Sequence, residues 1–175
     1  MALDDAQLKR FKEAKKLLQR GVNGEKKAAA DAFQLLAGLR VAEPHDALLE
    51  AYYGSALAVM GRDAVHPLER ADKAQQGLDA LDRAVSKDPN QTEIRLVRAS
   101  VCLRLPEGFF HRSKTAIEDF SFLLARHQTN PHLLSDKQVI QALQGLGTAY
   151  ENAGKPNEAK AARQFLAQLD PKNKR

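Results

Sequence analysis

Apolar residues recur every three or four positions through most of this chain, and proline and glycine break the runs at intervals. That spacing puts side chains on one face of a helix, whereas a half-buried strand would alternate. Leu143, Leu146 and Tyr150 make one such stripe, Ile94, Val97 and Val101 another, and Tyr53 and Leu57 part of a third. The pattern predicts eight helices, over about 4–20, 25–41, 46–60, 69–87, 91–105, 112–128, 135–153 and 156–169. Neither strand alternation nor a Rossmann-type glycine loop interrupts it, so the expected class is all-α.

Local signals set the helix ends. Ser135-x-x-Gln138 reads as a capping box, and Asn90 with Glu93 as a cap pair. Ala153-Gly154-Lys155-Pro156 reads as a turn in which glycine closes one helix and proline opens the next. Two turns are expected to be expanded, Leu105 to Arg112 and Gly61 through Pro67 to about Glu69.

The prolines that end helix pairs fall at Pro44, Pro89, Pro131 and Pro171. Before the last of them, Leu143-x-x-Leu146-Gly147-x-x-Tyr150, then Ala159, then Asp170-Pro171, sets large, small and terminating residues in a fixed order. Gly147 and Ala159 are the small residues that let two helix backbones approach. Ile94-x-x-Val97-Arg98-x-x-Val101 with Ala116-x-x-x-Phe120 repeats that order. So does Tyr53-Gly54-x-x-Leu57 with Gly77-x-x-x-Leu81-x-x-Ala84 and Asp88-Pro89. Ala32-x-x-x-Leu36-x-x-Leu39 matches a second helix, while Leu8, Phe11, Lys15 and Leu18 only approximate a first. In these residues the chain resembles the tetratricopeptide repeat family, with somewhat more than the family's ~34 residues per unit. Arg163 departs from the pattern, standing where an aromatic is expected, so Phe165, Leu166 and Leu169 are expected to complete that stripe.

The resemblance implies a right-handed α-solenoid of stacked antiparallel helix pairs in one domain, 1–175. It would comprise a degenerate repeat over 1–45, repeats over 46–89, 90–131 and 135–171, and a tail over 172–175. It also implies a concave groove lined by the first helix of each pair. Residues of those helices that face away from the packing stripe are Leu48, Ala51, Tyr52 and Ser55; Thr92, Arg95, Ala99 and Cys102; and Gln141, Gln144, Thr148, Glu151 and Asn152. The family's clamp for chaperone tails uses Lys, Arg and Asn on successive groove helices. At the matching places this chain has Ala51 and Ser55, Leu96, and Gln141 and Gly145, which cannot hold a terminal carboxylate that way.

Two features stand outside the repeat pattern. Arg98 occupies a position where the repeat needs Gly or Ala, and an unpaired buried charge is costly. It is expected either to bridge to Glu118, Asp119 or an acid of the 69–87 helix, or to form an anion site with Arg95. Phe109 and Phe110, beside Pro106, Gly108 and Arg112, either plug the long turn or present an aromatic anchor, since aromatics and Arg dominate interface hot spots.

Composition narrows the function classes. The 175 residues are 43% apolar and 28% charged, enough for a core without staples. Cys102 is the one cysteine, which excludes an internal disulfide and a thiolate metal cluster. His45, His66, His111, His127 and His132 lack the spacing of a helical metal site, so neither metal nor cofactor is expected. G-x-S-x-G and Walker-type glycine runs are missing, and no catalytic constellation is expected. Residues Met1 to Arg20 alternate charged and apolar side chains, unlike a signal peptide, and no window reaches the ~18–20 apolar residues of a membrane span, so a cytoplasmic protein is expected.

The functional expectation is a non-catalytic scaffold, adaptor or assembly factor that docks a partner segment in its groove. Tyr52 and Arg95 would anchor that segment, and Gln141, Gln144 and Asn152 would bond its backbone. The final helix carries Ala161, Ala162, Phe165 and Leu169 with no further helix to cover them, which points to self-association. A second reading, from another class, is nucleic-acid binding. The formal charge is +5, and Lys9, Lys12, Lys16 and Arg20 recur at helical spacing, with Lys172, Lys174 and Arg175 at the other end.

Overall fold

The structure, a computed structural model, describes residues 3–169. Among them are nine helices and no strand, so the protein is all-α. They are α1 (Asp5–Val22), α2 (Lys26–Ala42), α3 (Ala47–Asp63), α4 (Pro67–Lys87), α5 (Thr92–Arg104), α6 (Glu107–Phe110), α7 (Ser113–Thr129), α8 (Asp136–Asn152) and α9 (Pro156–Leu169). Asp170-Pro171, Lys172, Lys174 and Arg175 lie outside the described residues.

Packing divides the chain into two compact units, one up to Val97 and one from Arg98, with the boundary inside α5. In the first, α1, α2, α3 and α4 each pack on the next in sequence. Phe11, Ala14, Leu18, Ala29, Leu36, Leu39, Leu49 and Val59 form its core. Helices α3 and α4 come close together at two glycines. A Cβ at Gly54 would sit 2.7 Å from the Gly77 carbonyl oxygen, and one at Gly77 would sit 2.6 Å from that of Gly54. In the second unit α8 packs on both α7 and α9. Leu143, Leu146 and Ala159 are buried there as the stripe requires.

Capping follows the sequence where polar side chains are local. Ser135 and Gln138 form the expected capping box, and Asp4 with Gln7 forms another on α1. Gly154 takes a left-handed φ of 73° in the turn before Pro156, a conformation that only glycine adopts readily. Arg62 closes α1 from a distance, donating to the carbonyls of Gly21 and Val22, which its last turn leaves without helical partners.

The expected expanded turn from Gly61 to Glu69 is not there. Helix α3 continues to Asp63 and α4 begins at Pro67, leaving residues 64–66 between them. Gly61 is buried inside α3, where its missing Cβ admits the Arg70 carbonyl at 2.9 Å, so its role is close packing. Leu105 to Arg112 is also more ordered than a long turn, because it folds the short helix α6. The Glu107 carboxylate fastens that helix by accepting from Ser113 N (2.9 Å) and Ser113 Oγ (2.5 Å). On α9, Leu166 is buried as expected, whereas Phe165 and Leu169 are half exposed. Arg163 lies along Gly147 and pairs with Glu151, which fills the place of the absent aromatic.

One buried ion cluster stabilises the first unit. Glu50 is 2% exposed and accepts from Arg40 Nε at 2.5 Å and Arg83 Nε at 3.0 Å. Burial alone would raise its carboxyl pKa, but the bonds from Arg40 and Arg83 outweigh burial and hold it below the ordinary value. A carboxylate with a depressed folded-state pKa contributes stability above its unfolded pKa and loses it as pH falls through the folded one. The thermal midpoint is therefore expected to drop on acidification through the carboxylate range. Glu50→Gln is expected to lower the midpoint at neutral pH and flatten that dependence; parallel pH profiles would contradict this assignment.

Candidate functional site

In the second unit an open furrow of about 330 Å³ lies between α5 and α8. One wall is Ser100, Leu103 and Arg104; the other is Gln141, Gln144 and Thr148, with Gly145 and the Phe120 ring beneath. The floor has this shape because Gly145 has no side chain. A methyl group there would run into the Phe120 ring and come within 3.2 Å of Leu103. On α8 the residues Ala142, Leu143, Gly145, Leu146, Gly147 and Ala149, which intersperse the exposed row, are buried. Gln141, Gln144 and Thr148, at i, i+3 and i+7, are therefore left together on the open side.

Gln141 and Thr148 are only lightly committed. Gln141 Nε2 donates to Ser100 Oγ at 3.4 Å, near the limit of a hydrogen bond, and Thr148 Oγ1 donates to the Gln144 carbonyl one turn back. Each glutamine amide carries donors and an acceptor, so the row can pair with both the N–H and C=O groups of an extended backbone. Leu103, Gly145 and the Phe120 edge make a floor for a small apolar side chain, and Arg104 stands on the rim.

The structure brings Gln141, Gln144 and Thr148 together and leaves Asn152 exposed further along α8, beyond the furrow's lining. Other sequence candidates are withdrawn into packing. Ser55, Arg95 and Arg98 are buried, as are Ala51, Ala99 and Cys102. Arg95 Nε donates to the Pro89 carbonyl at 2.8 Å. Arg98 forms a two-pronged bond with Asp119, Nε to Oδ2 and Nη2 to Oδ1, both 2.7 Å. The bridging reading of Arg98 therefore holds, and Arg95 with Arg98 offers no open anion site, because both guanidiniums are buried with protein oxygens on them. Burial pushes the Cys102 thiol up to about 11, which suits a packed thiol and not a reactive one.

Tyr52 is half buried in the first unit and donates its hydroxyl to Glu93 Oε1 at 2.6 Å; burial first, and then that bond, raise the phenol above its usual range. Glu93, read from sequence as a capping residue, thus turns its carboxylate towards α3. Thr92 is half buried at the start of α5. On α6, Phe109 is 67% exposed and meets the half-buried Phe110 edge to face at 4.8 Å. Arg112 lies back against the Cys102 thiol, so of this turn only Phe109 is a fully exposed anchor candidate.

Ser100, Leu103, Arg104 and Phe120 were not among the sequence candidates. Helix α5 buries Ile94, Arg95, Leu96, Arg98, Ala99, Val101 and Cys102, most of its circumference, so the apolar stripe alone does not say which narrow strip stays open. A signal did exist: Ser100 and Arg104 are polar residues at i and i+4.

Elsewhere, Lys9, Lys12, Lys16 and Arg20 are all exposed on α1, but Arg20 donates to Glu25 at 2.7 Å, and Phe11, the aromatic among them, is buried. On the second unit, Leu124, Val139, Ile140, Leu143, Phe165 and Leu169 line a cleft of about 740 Å³ together with the polar His127, Gln128 and Asp136. Among the described residues no group of three or more His, Cys, Asp or Glu is placed to hold a metal ion, and no helix is long and apolar enough to cross a membrane. No family model matches the chain, and no curated protein matches it.

Proposed function

We propose that this protein is a tetratricopeptide-type interaction module, a scaffold, adaptor or assembly factor without catalytic activity, that docks an extended peptide segment of a partner in the furrow between α5 and α8. The observation that carries the reading is the row Gln141, Gln144 and Thr148 facing Ser100 and Arg104 across an apolar floor. Side-chain amides at that spacing supply to a peptide backbone what a neighbouring strand would, and the floor accepts one apolar side chain. The repeat-like order of Leu, Gly, Tyr, Ala and Pro in the last unit supports the same reading, since repeats of that type leave one face free for partners.

The test is selection of peptides from a random library on the immobilised protein, followed by affinity measurement on a Gln141→Ala/Gln144→Ala variant whose fold is checked by circular dichroism. Each lost hydrogen bond is worth about 1 kcal/mol, so the double variant is expected to bind selected peptides about 10- to 30-fold more weakly. Selection of no peptide, or unchanged affinity in the variant, would contradict the proposal.

A further inference from the structure

Four side chains from three helices meet at the surface of the first unit: Phe11 and Lys15 of α1, Tyr52 of α3 and Glu93 of α5. The Phe11 and Tyr52 rings meet edge to face, with centroids 5.2 Å apart and planes at 82°. Lys15 Nζ stands 4.7 Å from the Phe11 centroid and 5.7 Å from that of Tyr52. It is also 3.6 Å from Glu93 Oε1, the oxygen that accepts the Tyr52 hydroxyl proton. Two aromatic rings and a carboxylate around one ammonium are the chemical parts of a cation-recognition site.

Lys15 holds this place loosely. Its distance to Glu93 is longer than a hydrogen bond, and the lysine and glutamate side chains are 35% and 41% exposed, so solvent reaches the ammonium. Tyr52 and Glu93, by contrast, are fixed to each other by a short bond, and Phe11 is anchored in the core. The cradle is thus more firmly set than its occupant. We infer that Phe11, Tyr52 and Glu93 form a binding site for an alkylammonium group, the group borne by a lysine side chain of a partner peptide, and that Lys15 is its intramolecular occupant. Binding proceeds by exchange: an incoming ammonium takes the place of Lys15, whose flexible stem swings into water. Nothing in this depends on the furrow between α5 and α8.

The experiment is an NMR titration of the folded Lys15→Ala variant, following the Phe11 and Tyr52 ring signals. The probes are Nα-acetyl-lysine methylamide, its uncharged norleucine counterpart, and spermidine. The lysine amide is expected to shift both rings saturably, the norleucine compound to leave them unchanged, and Glu93→Gln added to the variant to abolish the response. The wild-type chain is expected to bind about tenfold more weakly, because its own lysine competes. Spermidine saturating below the lysine amide would support the site and assign it to free amines in place of peptide lysines. Unmoved rings, or equal shifts from norleucine, would overturn the inference. The unsubstituted protein provides a second reading: excess lysine amide is expected to move the Lys15 ε-methylene signals towards those of a free lysine, and unchanged signals would count equally against the site.

Discussion

Replacing Asp119 by alanine is expected to destabilise the protein by about 3–5 kcal/mol, the cost of leaving a buried charge without its partner. Asp119 is fully buried and takes both prongs of the Arg98 guanidinium at 2.7 Å. The bidentate geometry makes the pair favourable once both members are inside, but the desolvation of Arg98 remains when the carboxylate is removed. Urea unfolding followed by circular dichroism measures the loss. The double variant Arg98→Met/Asp119→Leu, which removes both charges and keeps the volume, is expected to recover most of it. A single variant within about 1 kcal/mol of the wild type would mean that Arg98 is solvated in the folded state, contrary to its burial.

Alanine at Gly77 or Gly54 is expected to cost about 2 kcal/mol, although alanine is the better helix former by about 1 kcal/mol. Each new methyl would meet the other glycine's carbonyl oxygen at 2.6–2.7 Å, and at Gly77 also the Ala58 nitrogen at 3.1 Å. These are backbone atoms of α3 and α4, so relief requires the helices to separate along the best-packed contact of the unit. Gly38 is the internal control. It lies exposed on α2 with nothing within 4 Å of where a Cβ would be, so Gly38→Ala is expected to stabilise by up to about 1 kcal/mol. Opposite signs for the same substitution, read as shifts in urea midpoint, separate packing from propensity. Stabilisation at all three positions would contradict the close approach of α3 and α4.

Most of the helical layout was legible in the sequence because the signals behind it are local. Ser135 and Gln138 bond each other three residues apart, Pro156 begins a helix where it lacks nothing, and the apolar spacing around Leu143 needs only one buried face. The misread turn at Gly61 shows the limit of such reasoning. Glycine near a proline signals a loop on composition, and only the Arg70 carbonyl pressed against Gly61 reveals that the helix continues for packing.

The candidate site was legible on α8 and obscure on α5 for a related reason. Helix α8 has one buried side and one exposed row, so Gln141, Gln144 and Thr148 could be picked out by phase. Helix α5 is buried nearly all round, and its arginines, which look like surface residues by type, are satisfied inside by the Pro89 carbonyl and Asp119. Tyr52 was read from the sequence as a groove anchor, and its partners Glu93, Lys15 and Phe11 come from elements far apart in sequence. Their convergence is a property of packing that no spacing rule contains.

The most direct test of the peptide-docking account is backbone and side-chain NMR mapping of a library-selected peptide on the wild-type protein. Shifts are expected to concentrate at Ser100, Leu103, Arg104, Gln141, Gln144, Gly145 and Thr148, with intermolecular contacts from an extended peptide to the glutamine amides and an apolar side chain against Phe120. Shifts confined to Phe109 and Phe110, to the cleft beside Phe165, or to the basic face of α1, with the furrow unchanged, would contradict it.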